Sequence, residues 1–213
     1  MEIDPLSGGA APDEIMRYVS GERRERLLRY RSDIDRKLGV YAEVLLRCMI
    51  SLGWGAEYRE LDIKAGNTGK PYLTGFPYCE FSISHTRNAV AAAVSDKPVG
   101  VDVERVREID IGIAKRVFSD NELISLGDTD KDINRQFFSI WTKKEALVKY
   151  FGTGLTNNLK SLDVTDPSSR ERFETYTAGD YILSICSDSD CRKIDFTEIS
   201  EPELIKIWRS LTA

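Results

Sequence analysis

The order in which hydrophobic periodicities change constrains the fold of this chain more than any other feature. A helical pattern dominates to about Leu52, with Val40, Val44, Leu45, Cys48 and Leu52 near 3.6-residue spacing, until Gly53 and Gly55 break it. EYRELDI then reads as a strand, and KAGNTGKP, Lys64 to Pro71, as a loop by its Gly, Asn and Pro content. Three β segments follow: CEFSIS, AVAAAVS and PVGVDVE. A helical stretch opens near Ile111, and Ser119 with Glu122 has the spacing of a capping box. A longer helix runs from about Asp132 to Phe151 and stops at Gly152. Strand patterns return as LKSLDV, RFETYTA, DYILSICS and KIDFTEIS, and EPELIKIWRSL closes as a short helix. Helix and strand blocks occur in both halves without strict βαβ alternation, which predicts an α+β fold rather than a doubly wound parallel sheet.

With 213 residues and 41% hydrophobic composition the chain can bury a real core. Its net charge of −5 argues against a general nucleic-acid binder. From Arg17 to Arg47, however, basic residues outnumber acidic ones. Such a region suits a small anionic ligand or an acidic partner, or else a solvated helix face laced with i,i+4 pairs. The segment MEIDPLSGGAAPDE has no apolar leader core, and no stretch approaches the ~20 apolar residues of a membrane span, so no membrane partner is expected. Cys48, Cys79, Cys186 and Cys191 form no CxxC pair and His85 is the sole histidine. Reduced thiols in a cytoplasmic protein are expected rather than a zinc site.

The strand GVDVE raises a question of charge. Alternation puts Val99, Val101 and Val103 on one face and Gly100, Asp102 and Glu104 on the other, with two carboxylates roughly 7 Å apart at the root. On the long helix, Ile133, Phe137, Ile140, Trp141, Leu147, Val148 and Phe151 share one apolar arc. Lys144 falls inside that arc, Glu145 at its edge and Lys149 just beyond. Lys144 could snorkel and Glu145 could pair with Lys149. Alternatively, Asp102, Glu104 and Glu145 form a three-carboxylate cluster. Oxygen ligands without His or Cys suit Mg²⁺ or Mn²⁺, which would offset the repulsion. Lys144 and Lys149 beside such a cluster, and Lys70 in its glycine-containing loop, would suit phosphate oxygens. His85 ends FSISH, where Phe81 and Ile83 face one way and Ser82 and Ser84 the other; it serves either as a structural hydrogen-bonding residue or as a phosphate-binding corner.

Taken together these segments resemble the 4′-phosphopantetheinyl transferases of the surfactin-synthetase-activating (Sfp) type. GKP at Gly69 to Pro71, FSISH at Phe81 to His85, GVDVE at Gly100 to Glu104, WTKKEALVK at Trp141 to Lys149 and GTGL at Gly152 to Leu155 follow in the family's order. WTKKEALVK matches the family pattern W-x-x-K-E-A-x-x-K throughout, and the likeness extends to GERRERLLRY and YILSIC. The resemblance implies transfer of 4′-phosphopantetheine from coenzyme A to a serine of an acyl or peptidyl carrier protein, with release of adenosine 3′,5′-bisphosphate. It implies Asp102, Glu104 and Glu145 as Mg²⁺ ligands, Glu145 also as the base for the carrier serine, and Lys149 assisting at the phosphates. Lys70, Ser84 and His85 fall near the 3′-phosphate end of coenzyme A, and Arg23 and Arg26 match basic positions for its phosphates. Arg36 and Lys37 both lie near a further basic position. Ser82 stands where the family often has Asn. The family fold is a pseudodimer of two similar halves, here residues 1–106 and 107–213, with the site between them in a cytoplasmic monomer. Two rival readings use the same residues: a Mg²⁺-dependent phosphodiesterase, and a non-catalytic coenzyme A binding module, against which an intact Glu145 counts.

Overall fold

The computed structural model describes residues 12–66, 68–127, 132–154, 159–168, 171–188 and 193–213. Residues 1–11, Cys191 and Leu155 of GTGL lie outside the described residues. The fold is α+β, a mixture of helices and antiparallel strands.

Helices α1 (Pro12–Met16) and α2 (Gly21–Leu28) lead into α3 (Asp33–Trp54). Ser32 starts α3 by accepting from the Asp35 N–H at 3.3 Å. Gly55 ends it in the left-handed region (φ 65°), while Gly53 stays inside the helix. A small hairpin, β1 (Ile63–Ala65) and β2 (Pro71–Leu73), precedes β3 (Glu80–Thr86) and β4 (Ala89–Ser95), which pair antiparallel beneath α3. Then comes β5 (Val99–Arg105), followed by α4 (Ile111–Val117), α5 (Asp120–Gly127) and α6 (Ile133–Phe151). The second sheet has the order β5-β7-β6, with β6 (Glu171–Ala178) and β7 (Tyr181–Asp188) forming a hairpin and α6 packed on β5 and β7. Helix α7 (Glu201–Thr212) ends the chain.

The boundaries of α6 follow from its caps. Asp132 accepts from the Asn134 N–H at 3.0 Å, and Gly152 takes φ 66°. Its apolar stripe is narrower than the helical arc suggests: Phe137, Phe138 and Leu147 are buried, but Ile133 and Phe151 at the two ends are about half exposed. Three expected strands are absent. EYRELDI is mainly a 3-10 turn at Tyr58–Glu60, LKSLDV carries another at Leu159–Ser161, and KIDFTEIS has no ladder partner. Conversely, the ends of KAGNTGKP are drawn into the β1–β2 hairpin. Hydrophobic β-formers without a neighbouring strand have nowhere to place their backbone hydrogen bonds as a sheet, so propensity alone misleads there.

Two core clusters dominate. Ile15, Leu27 and Tyr41 pack with Leu204, Ile205 and Trp208 of α7. Phe118, Phe137, Phe138 and Leu147 pack with Ile182 and Cys186. Cys48, Cys79 and Cys186 are buried free thiols.

Candidate active site

The alternation along β5 is realised. Val99, Val101 and Val103 pack against Ala89, Ala91, Ala93 and Ile185. A cavity of about 880 Å³ lies on that valine face, so it is separate from the carboxylates. On the other face, Gly100 sits directly under α6. A Cβ there would lie 1.9 Å from the Ala146 carbonyl oxygen and 2.6 Å from the Tyr150 nitrogen. Glycine is therefore what lets α6 lie on the strand, bringing Lys149 onto Asp102 and Glu145 close enough to feel both β5 carboxylates.

Asp102 is 5% exposed. Its Oδ1 accepts from Ser84 Oγ at 2.7 Å and from Lys149 Nζ at 2.7 Å, and Lys149 also donates to the Val101 carbonyl at 3.0 Å. Its Oδ2 is buried with no hydrogen-bond partner, and so is Oε1 of Glu145. Glu104 Oε2 accepts from Thr86 Oγ1 at 3.0 Å and from Arg107 Nη1 at 3.2 Å. Burial raises the Asp102 pKa, against the pull of Lys149 and Ser84. The carboxyl of Glu145 is pushed up to about 7, first by loss of water and then by the charge of Asp102, with Glu104 adding and Lys149 opposing.

Other expected residues lie around this cluster in different states. His85 retains solvent access on β3, yet crowding by protein, then the charges of Arg23 and Lys149, hold its imidazole below the ordinary value. Lys70 lies over the C-terminal end of α6, donating to the Tyr150 carbonyl at 3.3 Å and pairing with Glu80 at 3.5 Å. Arg23 pairs with buried Glu43 at 3.0 Å, Arg36 pairs with exposed Asp33, and Arg26 is exposed on α2. Lys37 is committed to Glu201 of α7 at 3.1 Å, so of the two neighbours Arg36 is the one with access to solvent.

Two expectations need correction. Lys144 does not face phosphate: it is fully buried, and Nζ donates to Glu122 Oε1 at 2.8 Å, to Glu122 Oε2 at 2.6 Å and to the Leu162 carbonyl. All three ammonium protons are thereby used within the core. Ser84 has one hydroxyl proton and gives it to Asp102, so that proton is not offered to a 3′-phosphate. Sequence reasoning also passed over Thr86 and Arg107, the donors to Glu104. The S-x-S-x-T alternation from Ser82 to Thr86 could have flagged Thr86 as sharing a face with Ser84.

Among the described residues, no three His, Cys, Asp or Glu side chains converge as a finished metal cage. Lys149, Ser84, Thr86 and Arg107 hold the β5 carboxylates instead. The donors nevertheless fit a hard cation. They are carboxylate oxygens, and two of them are buried without partners, a cost that a divalent ion would offset.

Comparison with known proteins bears on both parts of the chain. The family described as "4′-phosphopantetheinyl transferase, N-terminal" matches residues 11–97, and the "4′-phosphopantetheinyl transferase superfamily" matches residues 98–197. The junction falls just before β5. The chain is 35% identical to 4′-phosphopantetheinyl transferase ffp of Bacillus subtilis, over 71% of its own length and 68% of that protein. It is 28% identical to 4′-phosphopantetheinyl transferase Sfp of Bacillus subtilis (strain 168), over 91% of its length and 92% of that protein. It is 33% identical to 4′-phosphopantetheinyl transferase psf-1 of Bacillus pumilus, over 76% and 71%.

Proposed function

This chain belongs to the 4′-phosphopantetheinyl transferase superfamily as an enzyme of the Sfp type, and from that premise we propose the reaction its residues carry out. The enzyme moves the 4′-phosphopantetheine arm of coenzyme A onto a serine of an apo acyl or peptidyl carrier protein. The serine oxygen forms a bond to the β-phosphorus, the pyrophosphate bridge breaks, and adenosine 3′,5′-bisphosphate leaves with the bridging oxygen. Glu145 takes the serine proton. The observation that carries this reading is the geometry at Glu145, which sits on α6 beside Asp102 with a buried oxygen that has no hydrogen-bond partner among the described residues.

Asp102, Glu104 and Glu145 would hold Mg²⁺, whose chemistry is to neutralise charge on the pyrophosphate. Lys149 stands on Asp102 and is able to exchange that carboxylate for a phosphate oxygen when substrate enters. His85, Lys70, Arg23, Arg26 and Arg36 supply the cationic or donor groups for the remaining phosphates of coenzyme A. The same reading takes α3 on β3–β4 and α6 on β6–β7 as parts of two similar halves of a pseudodimer, acting as a cytoplasmic monomer. In this reading the halves are residues 1–106 and 107–213, with the site between them.

The test is to incubate the protein with coenzyme A, Mg²⁺ and a panel of apo carriers and to weigh the carriers by mass spectrometry. The expected result is the mass of one phosphopantetheine added at a single serine. Coenzyme A hydrolysed with every carrier left unchanged would favour a phosphodiesterase instead.

A further inference from the structure

Strands β3 and β5 are neighbours that share no ladder: β3 pairs with β4, and β5 with β7. Three hydroxyls at every second position of β3 link them. Ser82 Oγ accepts from the Val101 N–H at 3.0 Å, Ser84 Oγ donates to Asp102 at 2.7 Å, and Thr86 Oγ1 donates to Glu104 at 3.0 Å. The two-residue step from Ser84 to Thr86 on β3 is thus matched to the step from Asp102 to Glu104 on β5.

We propose that Ser84 and Thr86 are positioning residues that hold Asp102 and Glu104 in the arrangement a divalent cation needs. Each donates to one carboxylate oxygen, and Asp102 thereby keeps its other oxygen, Oδ2, free of protein partners. Two like charges on one strand face repel, and with Glu145 nearby a third is added. Unrestrained carboxylates would turn apart, and a cation would then have to bring them together at the cost of their rotamer freedom. Lys149 and Arg107 donate to the same two oxygens, and the hydroxyls add donors there without adding further positive charge. A serine or threonine also leaves its own lone pairs without demand for a further donor.

This inference rests on the reading of Asp102 and Glu104 as cation ligands, and the experiment separates the two. Mn²⁺ binding to the purified protein is measured by electron paramagnetic resonance for the parent, Thr86→Val, Thr86→Ser, Ser84→Ala and Glu104→Ala. Thr86→Val keeps the branched shape and removes the donor, so Mn²⁺ affinity should fall about tenfold, as for a lost hydrogen bond to a charged group. Thr86→Ser should restore it, and Ser84→Ala should weaken it as Thr86→Val does. A merely structural role would lower Tm and leave Mn²⁺ affinity at the parental value, which overturns the proposal, as does a Thr86→Ser protein no better than Thr86→Val. If Glu104→Ala loses Mn²⁺ affinity while Thr86→Val does not, the positioning role alone fails. If Glu104→Ala binds Mn²⁺ like the parent, the ligand reading fails and takes this inference with it.

Discussion

Glu145 and Lys149 stand one turn apart on α6 and have different partners, which separates their roles. Lys149 holds Asp102 and the Val101 carbonyl, whereas Glu145 Oε1 has no partner and its carboxyl is raised to about 7. A carboxyl so raised accepts a proton more readily than an ordinary glutamate, as a base for a serine hydroxyl must. Glu145→Gln keeps the size and one oxygen but cannot take the proton. It should retain measurable coenzyme A binding while kcat falls ~10²-fold or more. Lys149→Met keeps much of the aliphatic stem and removes the charge, so affinity and rate should fall together, because ground-state and transition-state phosphates are both negative. Steady-state kinetics beside direct coenzyme A titration distinguish the two variants. A near-parental kcat in Glu145→Gln would remove Glu145 from the role of base.

At the scale of elements, the site depends on how α6 is seated, and two positions control that. Gly100→Ala would drive a Cβ into the backbone of Ala146 and Tyr150, which has no flexible end to move aside. Helix and strand must separate, with strain of roughly 1–3 kcal/mol. Glu145 and Lys149 would move with the helix while Asp102 and Glu104 stay on the strand, so kcat should drop by as much as ~10²-fold. A Gly100→Ala enzyme with parental melting and turnover would show that α6 is not seated on this strand. The second position is Lys144, whose burial lowers its pKa while Glu122 opposes. Lys144→Met leaves the Glu122 carboxylate buried without its ammonium, at a cost of about 3 kcal/mol. KM for coenzyme A should be unchanged, and a raised KM in the folded fraction would return Lys144 to the phosphates. Both caps of α6 and the Ser119–Glu122 capping box were legible in sequence, since each is a local contact within a few residues. The second duty of Glu122 was not. Its partners Lys144 and Val164 are distant in sequence, and a complete capping box gave no sign that the carboxylate was needed elsewhere.

Across the whole molecule, the same limit governs which charges could be understood in advance. Asp102 and Glu104 were readable as a pair because a strand fixes which residues share a face. The buried Lys37–Glu201 pair was not, because its members are 164 residues apart. That pair shows how the chain is closed. Although α7 is the last element, it packs on α3, with Leu204, Ile205 and Trp208 completing the cluster of Leu38 and Tyr41. The N-terminal core is therefore tied to later elements at several places, among them the β3–β5 hydroxyl links and the C-terminal helix that covers it. Glu201 accepts from Tyr41 Oη at 2.7 Å and pairs with Lys37 at 3.1 Å, and it is 4% exposed. Glu201→Gln keeps an acceptor for Tyr41 but removes the charge that Lys37 is paired with. Breaking a buried pair in this way should cost about 3 kcal/mol, or roughly 6–12 °C in Tm for a domain of this size. The site carboxylates are on other elements, so kcat below the transition should remain parental. If α7 ties the halves into one cooperative unit, calorimetry of Glu201→Gln should give a single transition, shifted down as a whole. A split trace, with one transition left at the parental temperature, would mean that the halves unfold independently and that α7 stabilises only the core it covers.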